Sequence, residues 1–417
     1  MPFYGDRAEG AALFERLASV RLAAGDEVVV ADNTESGAAE AARHGPASVV
    51  RCEVRRSAYA ARNVGAERTA APWILFLDAD CVPDAGIVDS FFDPPPSGRA
   101  GAVAGAVAGV PDQPGIAPLY ARERRLLDQR ELLAEDRERP FAVTANILVR
   151  REAWEEIGGF SEQTRSGADA EFCWRLREAG WELEYRHGAR VEHEHRATLS
   201  ALLVQAARDG AGERWLARRY AGLRATIPAR EVARRLLGWP VWLARGRPRR
   251  ALVTAVDLVR FLAWNAGTWQ SNRPPGSAAR RASLVVLLDE FPRRDDPLPG
   301  WADAGVRVEA LRRTGRPDWK AGRRIAATVL EDDGPLARAR ALARALRRPR
   351  ALMSARRGRL GRAELAVAAQ RLAADLPGAR IACEPALRED AARVADLAGR
   401  PGTEIVALAA TSGLTSP

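Results

Sequence analysis

The sequence has almost no lysine: Lys320 is alone among 64 basic residues, and the rest are arginine. Four histidines, four cysteines and two methionines complete the scarcities, and no unbroken apolar run nears the roughly 18 residues of a membrane span. Cys52, Cys81, Cys173 and Cys383 lie far apart and form no CxxC pair. That spacing argues against a zinc site or a disulfide framework and fits a reducing cytosol. The opening residues Met1-Pro2-Phe3-Tyr4-Gly5-Asp6 carry neither the basic nor the apolar region of a secretory signal. The longest small-apolar run, Ala100 to Val110, is Gly-rich and short. A soluble or peripheral protein is expected, cytoplasmic or held at the inner face of the membrane.

What remains is an ordinary globular balance, 47% apolar and 28% charged over 417 residues, long enough for two domains. The net charge is +10 with a pI near 10.3. Guanidinium forks suit phosphate, but arginine replacing lysine throughout is equally a compositional habit. A nucleic-acid partner finds no support beyond charge, because the aromatics fall at core-like positions and no RNP, zinc-finger or helix-turn-helix pattern appears.

Short β-type runs alternate with helical patterns up to about Arg273, as in an α/β sheet. Glu27 to Ala31 and Trp73 to Leu77 read as buried strands, ending in Asp32-Asn33 and Asp78-Ala79-Asp80. Both sets of carboxylates are expected at the carboxyl edge of one parallel sheet, where open α/β sheets bind ligands. Ala58 to Ala70 reads as a helix of small residues, and Ala170 to Ala179 as a helix stopped by Gly180. Beyond Arg273-Pro274-Pro275-Gly276-Ser277, a linker by composition, Leu284 to Asp289 and Ile405 to Leu408 read as strands and Arg338 to Arg347 as a helix.

Asp78-Ala79-Asp80 is the sharpest chemical feature. Carboxylates at i and i+2, where a strand yields to a loop, can reach one hard divalent cation together with substrate phosphate oxygens. A turn or helix cap is the plainer reading. Asp169, in Gly167-Ala168-Asp169, opens a helix whose dipole favours the ionised form, as a base accepting a hydroxyl proton requires. Here the plainer reading is an N-cap. His193 and His195 flank Glu194 and would face the same way in a strand, so they form a candidate metal pair, with one histidine enough to complete a site begun by Asp80.

Taken in order, Asp32, Ala61-Arg62-Asn63-Val64-Gly65, Leu77-Asp78-Ala79-Asp80, Thr144 to Arg151, Gly158-Gly159-Phe160, Gly167-Ala168-Asp169, Cys173-Trp174-Arg175-Leu176 and Val191-Glu192-His193 form an ordered set. The chain resembles a family-2 glycosyltransferase over roughly residues 2 to 270. The resemblance implies a GT-A, Rossmann-like nucleotide-sugar-binding domain over 1–200, its first strand absent. A basic helical extension over 201–273, a linker over 274–282 and a smaller Rossmann-like α/β domain over 283–417 are then expected to follow. It further implies inverting transfer of one sugar from a nucleotide diphosphate sugar, most often UDP-linked, to a hydroxyl of a cell-envelope glycan, lipid-linked or other acceptor. Asp32 would contact the base and Asp78 the ribose. Asp80 and His193 would hold Mn²⁺ or Mg²⁺, Asp169 would be the base, and Arg56 and Arg62 would hold nucleotide or phosphate.

Three departures stand out. The family's opening apolar strand has no counterpart before Pro2, which suggests a true start upstream. Ala168 occupies a position that is usually Glu in the family. The Gln-x-x-Arg-Trp signature of processive synthases is replaced by Cys173-Trp174-Arg175-Leu176, so a single addition is expected. A catalytically impaired scaffold is the competing reading. Val285 to Arg293 and Ala304 to Val308 resemble, weakly, the amino-terminal half of a family-4 glycosyltransferase. From Arg214 to Arg250 eleven arginines meet one acid, Glu231, with Trp215, Trp239 and Trp242 interleaved. This belt suits peripheral contact with an anionic membrane, or a solvated basic face.

Overall fold

The computed structural model describes residues 1–274 apart from 53–56, 135 and 163, and then 284–291, 306–313, 326–329, 335–345, 368–369, 380–383, 387–398, 403 and 405–407. The expected linker lies outside the described residues from 275 onward, as does much of 283–417. The chain divides into two compact units, Met1–Thr268 and Trp269–Pro417.

In the first unit, β1 (Pro2–Phe3) is a strand where the sequence leads one to expect none. It pairs in parallel with β2 (Val29–Asp32), Phe3 beside Asp32, and β2 pairs in parallel with β3 (Ser48–Arg51). The Met1 nitrogen also donates to the Val29 carbonyl at 2.8 Å. Phe3 is also buried with Leu13 and Phe14 of α1 (Arg7–Ala18) and with Ala38 and Ala39 of α2 (Ala38–Ala42). Ala60 and Ala61 of α3 (Ala58–Glu67) pack on Ala31, the close approach that small residues permit.

A second, mixed sheet has the order β4-β7-β6-β8-β5. Its strands are β4 (Trp73–Leu77), β5 (Cys81–Pro83), β6 (Ala100–Gly109), β7 (Asn146–Arg150) and β8 (Glu182–His193). This corrects the expectation of one parallel sheet carrying both acidic strand ends: β4 runs antiparallel to β7. An apolar run signals burial on both faces but says nothing about the direction of its neighbour. The short helices α4 (Ile87–Phe91), α5 (Ile116–Glu123), α6 (Gln129–Leu132) and α7 (Arg151–Glu156) connect these strands. α8 (Ala168–Glu178) then precedes β8.

The Gly-rich run from Ala100 forms β6, a role its low β-propensity hides. At Gly105 a Cβ would collide with the Asn146 amide and the Ala189 carbonyl. Asn146, fully buried, donates to the carbonyls of Ala106 (3.0 Å) and Ala189 (2.9 Å) where the β6–β8 register shifts. The main core gathers around Phe160, which stacks on Phe172 at 4.2 Å and meets Phe76 edge-on at 5.1 Å. Three helices follow, α9 (Leu199–Ala217), α10 (Ala229–Ala244) and α11 (Pro248–Gly267). Among the described residues no helix is long and apolar enough to cross a membrane.

The second unit contains a parallel sheet ordered β11-β10-β9-β12-β13, from β9 (Leu284–Phe291), β10 (Val306–Arg313), β11 (Ala326–Val329), β12 (Arg380–Cys383) and β13 (Ile405–Ala407). Helices Pro335–Ala345 and Arg388–Ala398 accompany it.

Candidate active site

Strand register assembles the first part of the site. β5 runs antiparallel to β8 with Cys81 opposite His193, so the loop from β4 delivers Asp80 to the end of β8. Asp80 Oδ1 lies 3.5 Å from His193 Nε2. Candidate ligand atoms of Asp80, Cys81 and His193 all fall within 4.8 Å of one another. His193 is buried, and its Nδ1 has no hydrogen-bond partner. A partly exposed carboxylate beside a buried imidazole forms a donor pair that suits a divalent cation. The Cys81 thiol donates to the Ala145 carbonyl at 3.6 Å, and burial with the neighbouring Asp78 and Asp80 carboxylates pushes its pKa up. The expected histidine pair is corrected as well. β8 ends at His193, and His195 lies beyond it, its main chain bound on both sides by Gln113 and its ring against Gly109. Burial, with His193 and Arg122 adding to it, lowers the His195 pKa to about 4.

The second part runs through α3. Arg62, buried, forms an ion pair with Asp78, and its guanidinium carbon sits 5.4 Å from the centre of the Tyr59 ring. The Tyr59 hydroxyl in turn donates to Asp169 Oδ1 at 3.4 Å. A single helix therefore carries a relay of contacts from the Asp78 carboxylate to the Asp169 carboxylate. Asp169 is not an N-cap: Gly167, at φ +88°, is the cap residue, and Asp169 sits in the first turn of α8. Burial raises the Asp169 pKa, outweighing the Ala170 N–H and Arg62, which both lower it. Tyr59 was missed by sequence reading, although its place three residues before Arg62 on one helix face was a usable signal.

The other expected residues divide. Asp32 is fully buried. Oδ1 accepts from Thr34 N and Oγ1 at 2.9 and 2.7 Å, and Oδ2 from Ala39 N at 3.0 Å and Arg51 at 3.3 Å. Its carboxylate shapes the loop after β2. Arg56 lies outside the described residues.

Asn63 and Glu171 brace this arrangement. Fully buried Asn63 donates to the Phe160 carbonyl (2.9 Å) and Glu162 (2.8 Å) and accepts from Phe160 N (2.9 Å), tying α3 to the Gly-Gly-Phe loop. Asn63→Ala strands the buried Phe160 N–H and should cost about 2–3 kcal/mol. A urea titration reads this as a lower midpoint at unchanged slope.

Residues 1–158 match the model for glycosyl transferase family 2. The matched stretch includes Asp32, Arg62, Asp78 and Asp80, while Asp169 and His193 follow it. The chain is 34% identical over 179 residues to a pre-mycofactocin glycosyltransferase of Mycobacterium tuberculosis, covering 41% of this chain and 35% of that protein. It is 28% identical over 193 residues to the glycosyltransferase AglE of Haloferax volcanii, covering 45% and 62% respectively. The chain thus spans about a third and somewhat under two thirds of these two relatives. The mannosyltransferase PcManGT from Pyrobaculum calidifontis, solved with GDP-Man and Mn²⁺, covers 63% of this chain and 84% of its own at 16% identity and a TM-score of 0.46.

Proposed function

We propose that this protein is an inverting glycosyltransferase that moves one sugar from a nucleotide diphosphate sugar, UDP-linked by preference, to a hydroxyl of a glycan or lipid-linked acceptor. The observation that carries the proposal is the meeting of Asp80 with His193 through the β5–β8 register, within a chain whose Asp78 is linked through Arg62 and Tyr59 to Asp169. Asp80 and His193 would hold a divalent cation, which when bound neutralises charge growing on the leaving diphosphate.

The chain's own groups account for the rest. Asp78, oriented by Arg62, faces the donor as the ribose acceptor, and Asp32 holds the base-side loop in shape. Asp169 takes the proton of the acceptor hydroxyl as its oxygen attacks the anomeric carbon. The bond from that carbon to the diphosphate oxygen breaks on the opposite face, the electron pair leaves with the nucleotide diphosphate, and the configuration inverts. The raised pKa makes Asp169 a stronger base than an exposed carboxylate.

Calorimetric titration with UDP and Mn²⁺ tests this reading. The wild-type chain should bind UDP in a metal-dependent way, and Asp80→Ala should weaken that binding at least tenfold. Failure of UDP, GDP and dTDP alike to bind in the presence of Mn²⁺ overturns the proposal.

A further inference from the structure

α10 is a 16-residue helix with no buried residue, although nearly two thirds of it is apolar. From Leu236 to Ala244 it carries no charge at all. Its large apolar side chains are turned outward: Leu237 is 69% exposed, Leu236 and Leu243 are each 54%, Val241 is 44% and Trp239 is 36%. An amphipathic helix of a soluble protein ordinarily hides such residues against the core. The inward side of α10 rests on α11, where Arg235 donates to the buried Asp257 at 2.8 Å and Gly238 lies close to Thr254. The ridge is left facing out.

Charge brackets the ridge. Arg230 and Arg234 precede it, and Arg245, Arg247, Arg249 and Arg250 follow. The guanidinium groups of Arg245, Arg247 and Arg250 sit 5.7, 5.7 and 5.3 Å from the centre of the Trp242 ring, so three cations converge on one indole at the ridge's carboxyl end. Glu231 is the one acid on the helix. Nine uncharged residues of helix extend about 14 Å, less than half a bilayer's hydrocarbon core. The segment is too short to cross and too apolar for open water.

We propose that α10 docks flat on an anionic lipid surface, with Leu236, Leu237, Val241 and Leu243 entering the headgroup boundary and the flanking arginines meeting lipid phosphates. A helix lying in the interface combines buried apolar area with attraction to anionic headgroups, and clustered arginines next to it favour such lipids. Arg234 and Arg249 are already paired with Glu231 and Glu123, but the charge complement still selects this occupant over a neutral apolar partner, which would leave Arg245, Arg247 and Arg250 around Trp242 uncompensated. An acceptor on a lipid carrier would then meet the enzyme at the surface where the acceptor resides. That meeting rests on the glycosyltransferase reading; the docking itself does not.

Co-sedimentation of the full chain with vesicles of phosphatidylcholine and phosphatidylglycerol in a 3:1 ratio tests the proposal. Binding is expected at 50 mM NaCl, at least tenfold weaker at 500 mM, and absent on pure phosphatidylcholine. Leu236→Glu with Leu237→Glu should lower it at least tenfold, and Arg245→Glu with Arg247→Glu should remove its preference for the anionic lipid. Both pairs lie on exposed positions, and unchanged UDP–Mn²⁺ binding with an unchanged circular dichroism melt shows that each variant is folded. Should the leucine pair fail that check, Leu243→Glu alone provides the same reading. No sedimentation at 50 mM, or binding indifferent to these substitutions, overturns the proposal. So does a lipid-free dimer that the leucine substitutions dissolve, because a second copy then covers the ridge. None of these failures alters UDP binding, so they leave the catalytic reading standing.

Discussion

Asp169→Asn should retain UDP–Mn²⁺ binding within about twofold and lower sugar transfer by about 10²–10⁴-fold, the usual contribution of a positioned general base. Asparagine keeps the shape and can still accept from Tyr59 and the Ala170 N–H, so the fold of the α8 start is preserved while proton acceptance is lost. The pH profile gives a second reading. Burial raises the Asp169 pKa, and the base works only when ionised, so wild-type transfer should fall as pH drops through that raised value. The acid limb should therefore lie above the ordinary carboxylate value of about 3.9. The same shift has the opposite sign for stability. A carboxyl that folding makes harder to ionise favours the native state below its unfolded pKa, and that contribution is lost as pH rises through the raised value. Initial rates of donor turnover between pH 4.5 and 8 check the first claim. Full turnover by the asparagine variant removes Asp169 from the role of base.

Glu171→Ala should destabilise the first unit by about 3–5 kcal/mol, the cost of leaving one partner of a buried ion pair uncompensated. Arg175 is 12% exposed and Glu171 6%, and they meet through two bonds of 2.8 and 2.9 Å. The same guanidinium donates to the carbonyls of Ile157 (2.5 Å) and Gly159 (2.7 Å), and Ser161 donates to Glu171 at 3.1 Å. Deleting the glutamate leaves Arg175 charged and under-satisfied while loosening the Gly-Gly-Phe loop. Arg175→Met placed on top should recover part of the loss, because two apolar groups strand no charge. Urea unfolding followed by tryptophan fluorescence measures both. A cost under 1 kcal/mol for the single variant shows that the clamp is dispensable. Because α8 also carries Asp169, transfer should fall even where the variant remains folded.

Residue type and order alone made several features legible. The buried strand Trp73–Leu77 and the small-residue helix α3 follow from local chemistry: a β-branched and aromatic run, and close-packing alanines. Asp80, Asp169 and His193 were nameable as candidates for the same reason, since carboxylates and imidazoles at element ends are few. Local chemistry also misled. Ala and Gly from residue 100 onward carry little strand preference, yet they form the ten-residue β6, because only side chains that small allow Asn146 and β8 to approach. The histidine pair looked symmetrical until the strand ended between its members.

Tertiary structure decided which candidates meet. Nothing local to Asp80 specifies that β5 pairs with β8, and 112 residues of chain lie between Asp80 and His193. The relay from Asp78 through Arg62 and Tyr59 to Asp169 likewise needs α3 and α8 side by side, an arrangement set by aromatic packing around Phe160 and by the Asn63 bonds. Arginine scarcely distinguished itself in a chain with one lysine. Position separated its roles: buried Arg62 and Arg175 hold carboxylates, while Arg245, Arg247 and Arg250 remain at the surface around Trp242. The sequence by itself determined the kinds of groups available, because hydrogen-bonding capacity and charge belong to each residue. Which of them became a site was determined by long-range register and burial, which depend on contacts no short stretch of chain encodes.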